Sequence, residues 1–378
     1  MSSPRSIQAW SLPSNESSWV DYHSLYLREA TVSPPGKGEV LVKLYATSLN
    51  YRVRPMHIAA HHFLMPISQD MLIPQKLYPG PFSFGPDGRG HILTSDGAGE
   101  VVAVGQGETE WSIGDRVLGS FYETWLSGEF KKEDGHTAVG GGVSGCLAQY
   151  KVYPSNSLVR IPSHLTYEEA STLPCAGLTA WACLFETTLP QPIGSHSTIL
   201  VQGSGGISVF GAQLAKAAGA RVIATTSSAE KIEQYKSIVG VDDVINYREN
   251  PNWSDQVLAL SKGGGVEHVL EVGGQTTFLQ SLKSAQFGGH IHILGIVGGN
   301  TNDGINFGEF SFLTITRRLN LHGQAVGSKD MLKRMVKFIE EHNIKPVVGK
   351  VFDWEHAVEA FDYIAAGSHF GKVVVKIQ

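Results

Sequence analysis

The turn Gly203-Ser204-Gly205-Gly206-Ile207-Ser208 stands between an apolar run and a helix-like stretch. Gly203 and Gly205 fall where a backbone must approach a pyrophosphate closely, with the amides of a helix N-terminus behind it. Gly206 widens that approach, and Ser204 and Ile207 complete the loop. Ser208 replaces the third glycine of a G-x-G-x-x-G fingerprint. As the next-smallest polar choice, it predicts a slightly looser contact of helix on strand. About 20 residues on, an Asp or Glu would bind both ribose hydroxyls of NAD. The chain instead reads Thr225, Thr226, Ser227 and Ser228, with Lys231 shortly after. Hydroxyls and a cation favour the 2′-phosphate of NADP(H). The alternative is that Ser228 caps the next helix and Lys231 is a solvated surface charge.

These residues need a frame to hold them. From about Leu165 short apolar runs alternate with helical patterns: strands Thr198–Gln202, Arg221–Thr225 and Val244–Asn246, then "VEHVLEV" and "HIHILGI". Such alternation predicts an α/β fold with a doubly wound parallel sheet. Just before it, "TYEEASTLPCAGLTAWACLFE" has helical spacing, with Thr166 as N-cap and Glu169 as its capping-box partner. The N-terminal third differs. Period-2 runs such as "GEVLVKLYATS" and "GEVVAVGQG" between Gly and Pro predict an antiparallel, barrel-like β domain. Two long tracts interrupt it, residues 55–91 and 123–144. The first is read either as a substrate-facing lid or as a packed surface insertion.

With "SLNYR", "SDGAGEVVAVG", "GDRV", "LPCAGLTAW", the glycine-turn stretch, "GGHIHILGI" and the closing "GKVVVKI" together, nearly the whole chain resembles the medium-chain dehydrogenase/reductase superfamily. The resemblance implies a GroES-like catalytic domain over residues 1–165 and a Rossmann NADP(H)-binding domain over 166–324. Residues 325–378 would return to the catalytic domain, and the cofactor would lie in the cleft between. It further implies that Asn50 and Thr179 touch the nicotinamide or its ribose, and that Tyr247 sits by the 2′-phosphate with Lys231. Leu294, Gly295, Ile296 and Val326 would hold the carboxamide.

Superfamily members divide into zinc alcohol dehydrogenases and zinc-free quinone or enoyl reductases. A catalytic zinc needs three protein ligands and an open position. Asn50 and Tyr51 stand where a Cys is required, Ser95 or Asp96 replaces the histidine, and Cys175 alone remains. The stretch from 123 to 145 has no Cys for a structural zinc. His57, His61 and His62 form a rival cluster but lack thiol or carboxylate support. No metal is expected. Charge on a substrate oxygen must then be met by hydrogen-bond donors, and Tyr51 is the candidate catalytic group because a phenol donates to an oxyanion and relays a proton. Otherwise Tyr51 is a wall of the pocket. Val53 stands where relatives often carry an acid, which leaves Arg52 without an assigned role.

The bulk properties agree with a globular enzyme. The chain has 378 residues, 42% apolar and 17% charged, enough for two or three domains. A net charge of -5 gives no reason to expect nucleic acid or an anionic membrane as partner. Three cysteines make no disulfide framework, and no signal or membrane span is evident, so a cytoplasmic setting is expected. The partners expected are a small-molecule substrate and, at most, a second copy in a homodimer. The expected activity is zinc-independent, NADPH-dependent hydride transfer to an activated C=C of an enone, quinone or enoyl substrate. The alternatives are a ketone or aldehyde reductase or alcohol dehydrogenase, a non-catalytic NADPH-binding protein and, more distantly, a methyltransferase-like protein.

Overall fold

The structure, a computed structural model, describes residues 4–50, 82–187, 192–295 and 305–377. By its internal contacts the chain forms two compact units. Among the described residues one comprises 4–50, 82–178 and 326–377, and the other 179–187, 192–295 and 305–325.

The first unit opens with β1 (Arg5–Pro13), β2 (Tyr26–Val32), β3 (Glu39–Leu49), β4 (Gly90–Ile92), β5 (Asp96–Val104), β6 (Arg116–Gly119), β7 (Tyr150–Pro154) and β8 (Leu158–Arg160). β1 pairs antiparallel with β2 and β4 in a small sheet. In the larger sheet β3 lies antiparallel to β5, and β5, β6 and β8 follow one another antiparallel. β7 covers only the first half of β3, Glu39 to Lys43. Leu12, Leu44, Trp111 and Tyr153 fill the core between these strands. Within the long tract, residues 55–81 lie outside the described residues. Its end is packed: Phe82 lies 5.4 Å from Trp19, and Asp87 pairs with Arg28 at 2.7 Å.

α1 (Tyr167–Ala170) begins as expected, with Thr166 accepting from the Glu169 amide and Glu169 from the Thr166 amide. α1 packs on β3 and β5, so the first unit runs on to Leu178, past residue 165 where the sequence texture changes. The helical pattern does not form one helix. A wide turn over Leu173–Gly177 separates α1 from α2 (Leu178–Phe185) and takes Pro174 at its start, where the missing N–H breaks no helical bond.

The second unit then alternates: β9 (Thr198–Gln202), α3 (Gly206–Ala217), β10 (Arg221–Thr226), α4 (Ala229–Gln234), β11 (Asp243–Asn246), α5 (Trp253–Leu260), β12 (Val266–Glu271), α6 (Phe278–Ser284), β13 (Ala285–Ile293), α7 (Phe307–Arg317) and β14 (Asn320–Gly323). All neighbours are parallel, in the order β11-β10-β9-β12-β13-β14. The order reverses between β9 and β12. Ligands of such sheets bind beyond the carboxyl ends of the strands at that reversal. α7 and β14 have no counterpart in the sequence reading: α7 leaves Phe312 and Ile315 exposed, and β14 alternates too briefly to register.

The chain then returns to the first unit through α8 (Lys329–Glu341), β15 (Val348–Asp353), α9 (Ala357–Ala365) and β16 (Lys372–Lys376). β16 pairs with the second half of β3, Val373 opposite Leu49. That register sets the first residue of β16 beside the end of β3. No helix among the described residues is long and apolar enough to cross a membrane.

Candidate active site

In the second unit the glycine turn follows directly on β9. Gly203 has φ of +72°, which glycine adopts without strain; its amide donates to the Thr225 carbonyl at 2.8 Å. Tyr235, fully buried, donates its hydroxyl to the Gly203 carbonyl at 2.6 Å, and burial pushes that phenol's pKa far above its ordinary value. Gly205 is the N-cap of α3 and brings no capping side chain. A Cβ on Gly205 would meet no atom of the described residues within 4 Å. The turn is thus fixed on one side and open on the other, as a pyrophosphate requires.

Ser208 does more than loosen a contact. It is buried, and its hydroxyl donates to the Gln202 carbonyl at 2.5 Å, tying the first turn of α3 to the end of β9. Close approach of helix to sheet is provided instead by Gly211, where a Cβ would stand 2.5 Å from Leu270 Cδ2. The packing glycine is therefore three residues beyond its expected place.

At the end of β10, Thr226 is buried, and its hydroxyl has no hydrogen-bond partner among the described residues. An orphaned buried hydroxyl costs roughly 1–3 kcal/mol unless something arrives to use it. Ser228 caps α4 by accepting from the Lys231 amide at 3.4 Å, so that part of the alternative reading holds. Lys231 is not a fully solvated charge. It is partly buried, and burial first, then the positive charge of Arg248, lowers its pKa despite the opposing pull of Glu230. Arg248 follows Tyr247, whose amide donates to the Thr226 carbonyl at 3.0 Å. The sequence reading passed over Arg248, although a second basic residue beside "NY" was a visible signal. Two cations near an unsatisfied hydroxyl, with each opposing the other's charge, suit an anion.

Beyond β12 and β13, the Leu294 amide donates to the Glu271 carbonyl at 2.9 Å. A Cβ on Gly295 would stand 2.5 Å from the Val272 carbonyl, so only glycine fits. Ile296 lies outside the described residues. Glu271, also unanticipated, is fully buried. One of its oxygens accepts from the Gly273 and Gly274 amides at 2.8 Å each and from Thr277 at 2.6 Å. The other accepts from Gln202 at 2.9 Å and from Ser281. Glu271 thereby joins the ends of β9 and β12, the two strands that flank the reversal. Thr179 is buried in α2.

In the first unit, the ends of three strands converge. Asn50 follows β3, Asp96 opens β5 and Lys372 opens β16, and all three side chains are buried. Asn50 donates to Ser95 Oγ at 3.3 Å, Ser95 donates to Asp96 at 2.7 Å and Lys372 donates to Asn50 Oδ1 at 2.6 Å. Thr94, just before, has φ of +69°, and Val326 at the start of the return segment has φ of +54°. Both are β-branched residues in a region they avoid, a strain of order 1–3 kcal/mol each that concentrates at functional sites. Cys175 is buried in the wide turn. An amide, a hydroxyl, a carboxylate already taken up by Ser48, Ser95 and Lys372, and that ammonium do not fit a catalytic zinc, and no three His, Cys, Asp or Glu among the described residues are grouped to hold a metal. Tyr51, Arg52, Val53, His57, His61 and His62 lie outside the described residues.

A barrel-like unit joined to a parallel sheet whose glycine turn opens at the strand reversal defines a dinucleotide-dependent oxidoreductase of two parts. Comparison with known proteins agrees. Residues 36–163 match the alcohol dehydrogenase GroES-like domain family, and residues 206–341 match the zinc-binding dehydrogenase family. A zinc-type alcohol dehydrogenase-like protein of Schizosaccharomyces pombe is 39% identical over 340 residues, 90% of this chain and 91% of that one. An acryloyl-coenzyme A reductase of Metallosphaera sedula is 27% identical over 359 residues, 92% of this chain and 95% of that one. Among solved structures, a putative alcohol dehydrogenase from Sinorhizobium meliloti covers 100% of both chains at a TM-score of 0.84 and 32% identity. The chain belongs to the medium-chain dehydrogenase/reductase superfamily and is an oxidoreductase of that kind.

Proposed function

We propose that the protein is a zinc-independent, NADPH-dependent oxidoreductase that delivers hydride to the β-carbon of an enone, quinone or enoyl substrate. The observation that carries this reading is the donor set where the family resemblance puts metal ligands. Asn50 and Ser95 are hydrogen-bonded to each other at 3.3 Å, and the Lys372 ammonium lies 2.6 Å from the Asn50 oxygen. A divalent cation there would meet a buried positive charge and two neutral side chains, and the one carboxylate, Asp96, already accepts from Ser48, Ser95 and Lys372. The cofactor preference is supported by Lys231, Arg248 and the orphaned Thr226 hydroxyl.

When bound, NADPH supplies a hydride from C4 of its nicotinamide. The open side of the Gly203–Gly206 turn would hold the pyrophosphate, and Lys231 with Arg248 would hold the 2′-phosphate. Tyr51 donates a hydrogen bond to the substrate oxygen as charge grows there, then passes a proton toward the enolate. An enone or enoyl product would carry one added hydride at the β-carbon and one added proton at the α-carbon, and a quinone would leave as its hydroquinone, with both electrons supplied by NADPH. A relative named for acryloyl-coenzyme A reduction supports the C=C substrate class. Reduction of a carbonyl, or its reverse, is the second reading, favoured by the alcohol dehydrogenase names of two similar proteins.

The test is NADPH oxidation against a panel of enones, quinones, enoyl thioesters, aldehydes and ketones, with metal content measured on the same preparation. Turnover of the C=C acceptors by metal-free protein is expected. About one zinc per chain, with activity lost to a chelator and restored by zinc, would refute the metal-free mechanism. Binding of NADPH without turnover of any acceptor would leave a non-catalytic binding protein.

A further inference from the structure

Lys372 is only 3% exposed, and its three N–H bonds meet three acceptors: the Leu49 carbonyl at 2.7 Å, Asn50 Oδ1 at 2.6 Å and Asp96 Oδ2 at 3.4 Å. Asp96 is fully buried and also accepts from Ser48 at 2.9 Å and Ser95 at 2.7 Å. Asn50 Nδ2 donates to Ser95, which closes a ring of four side chains: Lys372, Asn50, Ser95 and Asp96. Its directions are fixed. An ammonium only donates and a carboxylate only accepts, so Asn50 must turn its oxygen to Lys372 and its nitrogen to Ser95, and Ser95 must point its proton at Asp96.

A buried ion pair is a weak source of stability, because desolvation offsets most of the attraction. The placement of this one matters more. It grips the last carbonyl of β3 and the side chain of Asn50, and the next residue along the chain is Tyr51. We propose that Lys372 is a positioning residue for hydride transfer. It fixes the Asn50 amide, which the resemblance sets against the nicotinamide or its ribose, and does so without a metal. The inference rests on the zinc-free reading above.

The test compares Lys372→Met, Lys372→Arg and Ser95→Ala with the parent on an acceptor the parent reduces. In Lys372→Met kcat is expected to fall ten- to a hundredfold while the Kd for NADPH stays within about threefold. Hydrogen exchange over residues 49–52 should quicken, with the second unit unchanged. Lys372→Arg, which keeps charge and donors, should recover at least fivefold over the Met variant. Ser95→Ala opens the ring while leaving both charged partners in place, and should cost three- to tenfold in kcat.

Recovery by the Arg variant separates positioning from packing. A folded Lys372→Met with kcat within threefold of the parent would overturn the proposal. If that variant does not fold, a Ser95→Ala variant with the parent's kcat would overturn it instead. A zinc-dependent parent would refute the zinc-free reading whatever the variants do, whereas a zinc-free parent with unaffected variants refutes only the role of Lys372.

Discussion

Lys231→Ala tests the cofactor assignment most directly. In the structure both burial and Arg248 oppose the charge of Lys231, so the free protein holds it at a cost that a nearby anion removes. The 2′-phosphate carries nearly two negative charges above pH ~6. A charge-assisted hydrogen bond contributes about 1.5–3 kcal/mol, so removing Lys231 should weaken NADPH roughly ten- to a hundredfold. Arg248 is exposed, and its share is about 0–1 kcal/mol, up to roughly fivefold and fading with salt. The sign of the pH effect follows from the lowered pKa. Lys231 loses its proton sooner on raising the pH than an ordinary lysine at about 10.4, so NADPH affinity should fall on the alkaline side before that value. Below about pH 6 it should fall again as the phosphate gains a proton. Titrations of NADPH and NADH followed by protein fluorescence, at low and high salt and across pH, measure all of this. The alkaline fall should vanish in Lys231→Ala, and NADH binding should barely change. Equal losses for both cofactors, or a parent that prefers NADH, would refute the assignment.

Three further outcomes are expected. Thr226→Val removes a buried hydroxyl that has no partner among the described residues, so it should stabilise the free protein by about 1 kcal/mol in thermal unfolding and still weaken NADPH several-fold; a destabilised variant with unchanged affinity would contradict this. Gly211→Ala puts a methyl 2.5 Å from Leu270 Cδ2 in the buried core, which should cost about 1–3 kcal/mol in denaturant unfolding, and a neutral result would mean that the Leu270 side chain turns aside. Tyr51→Phe should lower kcat about a hundredfold or more with NADPH affinity nearly unchanged, since a preorganised donor contributes roughly 3–4 kcal/mol to the transition state. A kcat within about threefold of the parent would leave Tyr51 as a wall of the pocket.

Periodicity and turn chemistry made much of the fold legible. The alternation from β9 to β13, the capping box at Thr166 and the period-2 strands of the first unit are local patterns, and local patterns survive in a linear text. The glycine turn was readable for the same reason, because positive φ and an open N-cap are properties of a few consecutive residues. The wide turn at Leu173–Gly177 was hidden within a run of helical spacing, and the four-residue strand β14 is defined by its pairing with β13.

What only the tertiary structure decided lies between residues far apart in the chain. Gly211 is the packing glycine because Leu270, 59 residues on, occupies the space above it. Glu271 acts on Gln202 because β9 and β12 are neighbours at the strand reversal. Lys372 reaches Asn50 because β16 runs antiparallel to the end of β3. Sequence spacing encodes which residues share a turn or a face. It does not encode which strand ends meet, and burial, charge pairing and hydrogen-bond direction at this site are all set by those meetings.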